Sequence, residues 1–197
     1  MRKVLLLLSV GFEVFEASVF IDVLGWNMTY GSKDIELITC ARTKNLKSTF
    51  GLKIEVDITI DEVDPDDFVA LAIPGGFETY GFYEDAYSKE FQQLIIDFNR
   101  QDKIIASICV GALPIGKSGI LKGKEATTYH LSGGKRQDQL KEFGVSISNQ
   151  PIVKNGNIIT SSSPGTAIDV AFSLLEKLTG NENTAYIREQ MGFGNEK

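Results

Sequence analysis

The chain has 197 residues, 43% of them hydrophobic, a mean hydropathy of -0.03 and a formal net charge of -6. That size suits one well-buried domain, and an acidic chain with no basic cluster argues against nucleic acid or an anionic membrane as its partner. A single histidine rules out a site of several imidazoles, and no carboxylate cluster has metal-ligand spacing, so neither a metal nor another cofactor is expected.

Residues 3–9 form a continuous apolar run, read as a buried first strand. The start of the chain resembles a signal peptide only superficially. Gly11-Phe12-Glu13 breaks the run early, and no small-residue cleavage site follows. Residues 13–24 then carry Phe15, Val19, Phe20, Val23 and Leu24 at helical spacing. Residues 36–40 read as a second strand and residues 68–73 as a third, closed by Pro74-Gly75-Gly76. Residues 88–100 place Phe91, Leu94, Ile95 and Phe98 on one helical face. Residues 103–108 are the next strand. Residues 151–160 read as a hairpin around Asn155-Gly156. Pro164-Gly165-Thr166 opens a helix through Leu178 that Gly180 stops, and residues 183–191 form a last short helix. Alternating strands and helices predict one α/β domain spanning 1–197, a mostly parallel sheet with helices on both faces.

Two cysteines, Cys40 and Cys109, make no disulfide framework, which points to a reducing cytoplasm. Cys40 ends a strand and reads as core. Cys109 follows the apolar run 103–108 and precedes Val110-Gly111, at a strand-to-helix turn. A side chain on such a corner stands above the carboxyl edge of the sheet, beside free N–H groups that favour a thiolate. It is the geometry of a nucleophile elbow, with sulfur in place of a serine hydroxyl. A buried structural cysteine is the competing reading.

Residues 111–118 also match the phosphate-loop pattern letter for letter. The context fails, because Gly119 and Gly123 leave no helix after Lys117, and Leu113 and Ile115 are too bulky for a phosphate cradle. A short helix over 111–117, capped by Ser118-Gly119, explains the same residues.

In a doubly wound sheet, sites lie at the carboxyl ends of strands. Three loops meet Cys109 there: 11–16 with Glu13 and Glu16, 74–78 with Gly75 and Gly76, and the elbow itself. A carboxyl group beside the sulfur can hydrogen-bond it and move a proton, and spacing leaves both Glu13 and Glu16 as candidates. The N–H groups of Gly76 and Val110 are candidate oxyanion donors. Phe12, Phe77, Tyr80, Phe82 and Tyr83 are aromatic candidates for a pocket wall, or for the core.

These motifs together resemble the ThiJ/PfpI superfamily, a branch of the class I amidotransferase-like fold. They are Gly11-Phe12-Glu13-Val14-Phe15-Glu16-Ala17, Ile21-Asp22-Val23-Leu24, Ile73-Pro74-Gly75-Gly76, Ser107-Ile108-Cys109-Val110-Gly111, Ala126-Thr127-Thr128-Tyr129-His130 and Thr160-Ser161-Ser162-Ser163-Pro164-Gly165-Thr166. The resemblance covers nearly the whole chain. It implies a flavodoxin-like three-layer sandwich, a homodimer, a small-molecule substrate, Cys109 as nucleophile with Glu16 bonded to it, and Gly76 and Val110 as oxyanion donors. Several departures bear on activity. The peptidase-like branch has histidine directly after the cysteine, where this chain has Val110. The isonitrile-hydratase branch has aspartate at Glu16 and threonine at Val110. The deglycase-like branch has histidine at Tyr129 and arginine near the site at Ser162. The only histidine, His130, faces away from Cys109 if its segment is a strand, and reaches it if the segment is a loop. Gly75, Phe77, Tyr129 and Ser162 complete the expected pocket. The chemistry then divides between a cysteine-dependent enzyme acting on an electrophilic carbon and a redox sensor in which Cys109 becomes a sulfinate.

Overall fold

The computed structural model describes residues 1–194. The first half runs β1 (Arg2–Leu7), α1 (Val14–Tyr30), β2 (Ile35–Ala41), β3 (Asn45–Lys47), β4 (Lys53–Glu55), β5 (Ile58–Thr59), β6 (Phe68–Ile73), α2 (Phe82–Ala86) and α3 (Lys89–Arg100). The second half runs β7 (Ile104–Ser107), α4 (Ala112–Lys117), β8 (Glu125–Ala126), α5 (Lys135–Glu142), β9 (Ser146–Ile147), β10 (Ile152–Asn155), β11 (Ile158–Ser161), α6 (Ala167–Thr179) and α7 (Asn181–Gln190). The central sheet has seven strands in the order β10-β11-β7-β6-β1-β2-β5. Every pairing in it is parallel except the β10–β11 hairpin at one edge. The strand-and-helix alternation of the sequence is thus a mixed, mostly parallel sheet with helices on both sides.

The elements form for the reasons the sequence supplies. Val4 to Leu7 of β1 are fully buried, because a central parallel strand is covered on both faces. On α3, Phe91, Leu94, Ile95 and Phe98 are the buried side chains, and the Ser88 hydroxyl accepts the Phe91 N–H at the helix start. Helix α6 stops at Gly180, whose φ of 85° suits glycine alone. Two boundaries differ from expectation. Helix α1 continues past Leu24 to Tyr30 because Asn27 faces inward, where its Oδ1 accepts from Asn183 of α7 at 2.8 Å and from Ser32. The edge hairpin turns at Gly156-Asn157, one residue later than the sequence suggested, since Asn155 still pairs with Ile158.

Three features carry no strong pattern and were not anticipated: the β3–β4 hairpin, the β8–β9 pair and α5. The first matters to the site. Thr49, at the hairpin tip, donates its hydroxyl to Gly11 O at 2.6 Å and its N–H to Phe12 O at 2.9 Å, which fixes the loop after β1. Among the described residues, no helix is long and apolar enough to cross a membrane.

Candidate functional site

The carboxyl ends of β1, β6, β7 and β11 lie side by side in the sheet, so the loops that follow them converge. The loops after β1 and β6 are stitched together. Glu13 N–H donates to Gly75 O at 2.8 Å, and Phe77 N–H donates to Gly11 O at 3.1 Å. Gly76 lies so close to its neighbours that a Cβ there would sit 2.3 Å from both Gly11 O and the Phe82 ring. Only glycine fits. Its own N–H donates to no protein acceptor among the described residues, which leaves it free for a ligand oxygen.

Cys109 sits directly after β7, where a short 3-10 turn (Cys109–Gly111) leads into α4. Its φ is +55°, a conformation rare for a residue with a side chain. Two hydroxyls hold its backbone in place. Thr128 donates to the Cys109 carbonyl at 2.9 Å, and Ser161 accepts the Cys109 N–H at 3.4 Å. The strained corner is therefore braced by the neighbouring segment and by the end of β11. The side chain is 6% exposed and lines a cavity of about 550 Å³.

Glu16 lies in the first turn of α1 and is completely buried, whereas its apolar neighbour Phe15 is exposed. That inverts the ordinary amphipathic pattern. The Glu16 Oε2 accepts the Gly75 N–H at 2.5 Å, while Oε1 has no hydrogen-bond partner among the described residues. Burial pushes its carboxyl up to about 8, with the Glu13 charge adding to the rise, against the lowering effect of the Gly75 N–H and of the Cys109 thiol bonded to it. Glu16 is thus mostly protonated at neutral pH. Burial also pushes the Cys109 thiol well above its ordinary range, and the Glu16 charge pushes it further, although the Val110 N–H favours the thiolate. The expected thiolate preference is overruled here: α4 spans only six residues, and desolvation outweighs its weak dipole. Cysteine and glutamic acid form a coupled pair in which ionising one disfavours ionising the other.

The cavity is walled by Gly76, Phe77, Val110, Tyr129, Glu13, Glu78, Leu131, Ser132, Lys135, Arg136 and the segment Ser163–Gly165. It holds Phe77 and Tyr129 of the expected pocket residues, while Gly75 acts from behind through Glu16. His130 is not brought to Cys109. Residues 127–131 form no helix or strand; Tyr129 lines the cavity, and His130 is exposed with Nδ1 3.4 Å from Ser162 O. Ser162 is displaced too, its N–H donating to Pro151 O, while Ser163, Pro164 and Gly165 reach the wall. Phe12 and Phe82 are core, and Tyr80 is exposed outside the cavity. Cys40 is fully buried and pushed up to about 12, mainly by that burial.

Sequence reasoning missed the braces Thr128 and Ser161, and the charged wall of Glu78, Lys135 and Arg136. The braces stood inside the quoted motifs without a role. The Lys135-Arg136 doublet, after Gly133-Gly134, had no apolar pattern to draw attention to it.

A mostly parallel α/β sandwich with a braced cysteine on its strand-to-helix corner and a buried acid beside it defines a single-domain α/β protein of the flavodoxin-like kind. The family profile described as the DJ-1/PfpI family matches residues 2–177, and the chain belongs to that family. Among curated relatives, it is 32% identical over 131 residues to an uncharacterised protein of Methanocaldococcus jannaschii, covering 66% of this chain and 62% of that one. It is 33% identical over 115 residues to the deglycase PfpI of Pyrococcus furiosus, covering 58% and 65% respectively. The matched stretch spans less than two thirds of either relative. Among solved structures, it is similar to DJ-1beta of Drosophila melanogaster with a TM-score of 0.83 at 26% identity, covering 96% of this chain and 97% of that one.

Proposed function

We propose that the chain is a cofactor-independent, cysteine-dependent enzyme acting on a small electrophilic carbon. An α-ketoaldehyde or its adduct, an amide or an isonitrile are the candidate substrates. The observation that carries this reading is Cys109 itself, held at a φ of +55° at the edge of a cavity of about 550 Å³, with a buried acid near its sulfur. A purely structural cysteine has no use for that strain or for an unpaired carboxyl oxygen.

The steps follow from the groups at hand. An ionised Glu16 accepts the thiol proton. The sulfur then forms a C–S bond to a bound carbonyl carbon, and the carbonyl electron pair moves to oxygen. The free Gly76 N–H and the Val110 N–H suit that oxygen as donors. From an aldehyde, Glu16 returns the proton to the oxygen, giving a hemithioacetal. From an amide, it gives the proton to the nitrogen, the C=O bond re-forms as the C–N bond breaks and the amine leaves, and water then hydrolyses the thioester to free acid and thiol. With Glu16 near 8, about one molecule in ten carries the base form at pH 7 by the ordinary titration relation. Reactivity therefore rises with pH through a midpoint near 8. His130 plays no part in this scheme.

A second reading rests on the same carboxyl. A protonated Glu16 with Oε1 unpaired can donate to an oxidised sulfur. Two equivalents of peroxide would convert the Cys109 thiol to a sulfinate, releasing two waters. The deciding experiment is turnover of methylglyoxal and of an isonitrile by wild type and Cys109→Ser, beside peroxide titration with mass spectrometry. Turnover that Cys109→Ser abolishes supports the enzyme. Stable sulfinate at low peroxide with no turnover supports the sensor.

A further inference from the structure

We propose that Arg136, seconded by Lys135, is an anion-binding and positioning residue of the Cys109 cavity, so that the preferred substrate is a small carbonyl compound carrying a carboxylate. The inference rests on the reading of Cys109 as nucleophile and narrows its substrate class.

Four observations carry it. First, Arg136 and Lys135 line the same cavity as Cys109, on the wall formed by the start of α5. Second, Arg136 is built in place. Its side chain is only 16% exposed, its guanidinium lies 4.8 Å from the centroid of the Tyr83 ring, and Nη1 donates to Gln139 Oε1 at 2.8 Å. A stacked, half-tied guanidinium is pre-organised, and its fork matches a carboxylate better than an ammonium does. Third, a carboxylate already sits on it. Glu78 Oε2 accepts from Arg136 Nη2 at 2.9 Å and from Lys135 Nζ at 3.2 Å. Glu78 follows the Gly76 loop, so this contact closes the wall between the oxyanion side of the cavity and α5. Fourth, that contact is weak enough to exchange. The Glu78 side chain is 54% exposed and Lys135 is 62% exposed, and ion pairs in such settings add little stability. A second carboxylate can share the guanidinium or displace Glu78 at small cost. Glu13 is the other acidic group on the wall, and burial raises its carboxyl, which moderates its repulsion of an anion.

The test separates the anion site from the nucleophile. Pyruvate and the neutral pyruvamide are titrated into Cys109→Ser protein, and binding is followed by NMR chemical-shift changes. Pyruvate is expected to bind at least tenfold more tightly than pyruvamide. Adding Arg136→Met should abolish that preference. Adding Glu78→Gln instead, which leaves the guanidinium and its stack intact, should strengthen pyruvate binding severalfold. Equal binding of the two probes overturns the proposal, and so does a preference that survives Arg136→Met in a protein with unchanged melting temperature. If Arg136→Met unfolds the chain, failure of Glu78→Gln to tighten pyruvate overturns it.

Intact protein then provides the second arm, with iodoacetate and iodoacetamide as alkylating probes. In both, the sulfur bonds the methylene carbon, iodide leaves and the thiol proton passes to buffer. Arg136 should raise the iodoacetate-to-iodoacetamide rate ratio at Cys109 at least fivefold over that of Arg136→Met. If Cys109 resists both reagents while the pyruvate preference holds, the nucleophile reading fails and the anion site stands. If Cys109 reacts freely but pyruvate shows no preference, the anion site fails and the nucleophile reading stands.

Discussion

Glu16→Gln removes the ionisation of a completely buried acid while keeping its shape, and its effect can be worked from the structure. In the unfolded chain the carboxyl titrates near 4.5; in the fold, burial raises it to about 8. A raised acid is protonated in both states below 4.5, so it contributes nothing there. Between 4.5 and 8 the unfolded state ionises and the folded state does not, so stability falls as pH rises. At pH 7 the loss is roughly 3 kcal/mol, from about 1.4 kcal/mol per pH unit. Glutamine carries no such loss. Its Oε1 can accept the Gly75 N–H, and its amide N–H groups can face the Cys109 sulfur, so packing is kept. Relative to wild type, Glu16→Gln should gain stability progressively from pH 5 to pH 8, by roughly 3 kcal/mol at pH 7 before any cost of the new amide. Urea denaturation of both proteins across that range is the assay, and the difference between the two curves cancels the titrating groups that are not coupled to Glu16. Parallel curves would refute the reasoning, because they would mean that Glu16 ionises in the fold as freely as in water. A gain in stability accompanied by a fall in Cys109 reactivity would mark Glu16 as a site residue that costs the fold something.

The pH dependence of Cys109 alkylation, read by mass spectrometry, should rise towards a midpoint near 8 and lose that step in Glu16→Gln, while Cys40, pushed up to about 12, stays unlabelled; equal labelling of both cysteines would contradict the assignment. Gly76→Ala places a methyl carbon 2.3 Å from Gly11 O and from the Phe82 ring. It should cost about 1–3 kcal/mol by thermal or urea unfolding and abolish Cys109 reactivity, because the two loops must part. Thr128→Val keeps the volume but leaves the buried Cys109 carbonyl without its donor. A loss of about 1–3 kcal/mol is expected in urea unfolding, with slower alkylation of Cys109 as the strained turn relaxes; unchanged kinetics would mean that Thr128 is no brace.

The large features were legible in the residues because they depend on local pattern. The buried run of β1, the apolar face of α3 and the Gly180 stop each follow from a period or a conformational preference that neighbouring residues enforce. The position of the turn was legible as well, since an apolar strand breaks at Cys109-Val110-Gly111, while the residues alone left its cysteine open between nucleophile and core. The family resemblance brought Glu16 forward over Glu13; in the fold Glu16 is hidden and Glu13 stands on the cavity wall.

Orientation and electrostatics were decided only by the tertiary structure. Whether Tyr129 or His130 faces the Cys109 cavity depends on the path of a segment without regular structure, which composition does not fix. The ionisation of Glu16 and Cys109 depends on how much water reaches them; the sequence suggested a thiolate from the nearby helix, but desolvation by residues far apart in the chain dominates. Thr128, Ser161 and Arg136 acquire their roles because strand order brings the ends of β7 and β11, and the segment leading into α5, to one place. A one-dimensional pattern determines which faces are buried. The charge states and reach of a site are sums over neighbours in space, and those neighbours exist only once the sheet has assembled.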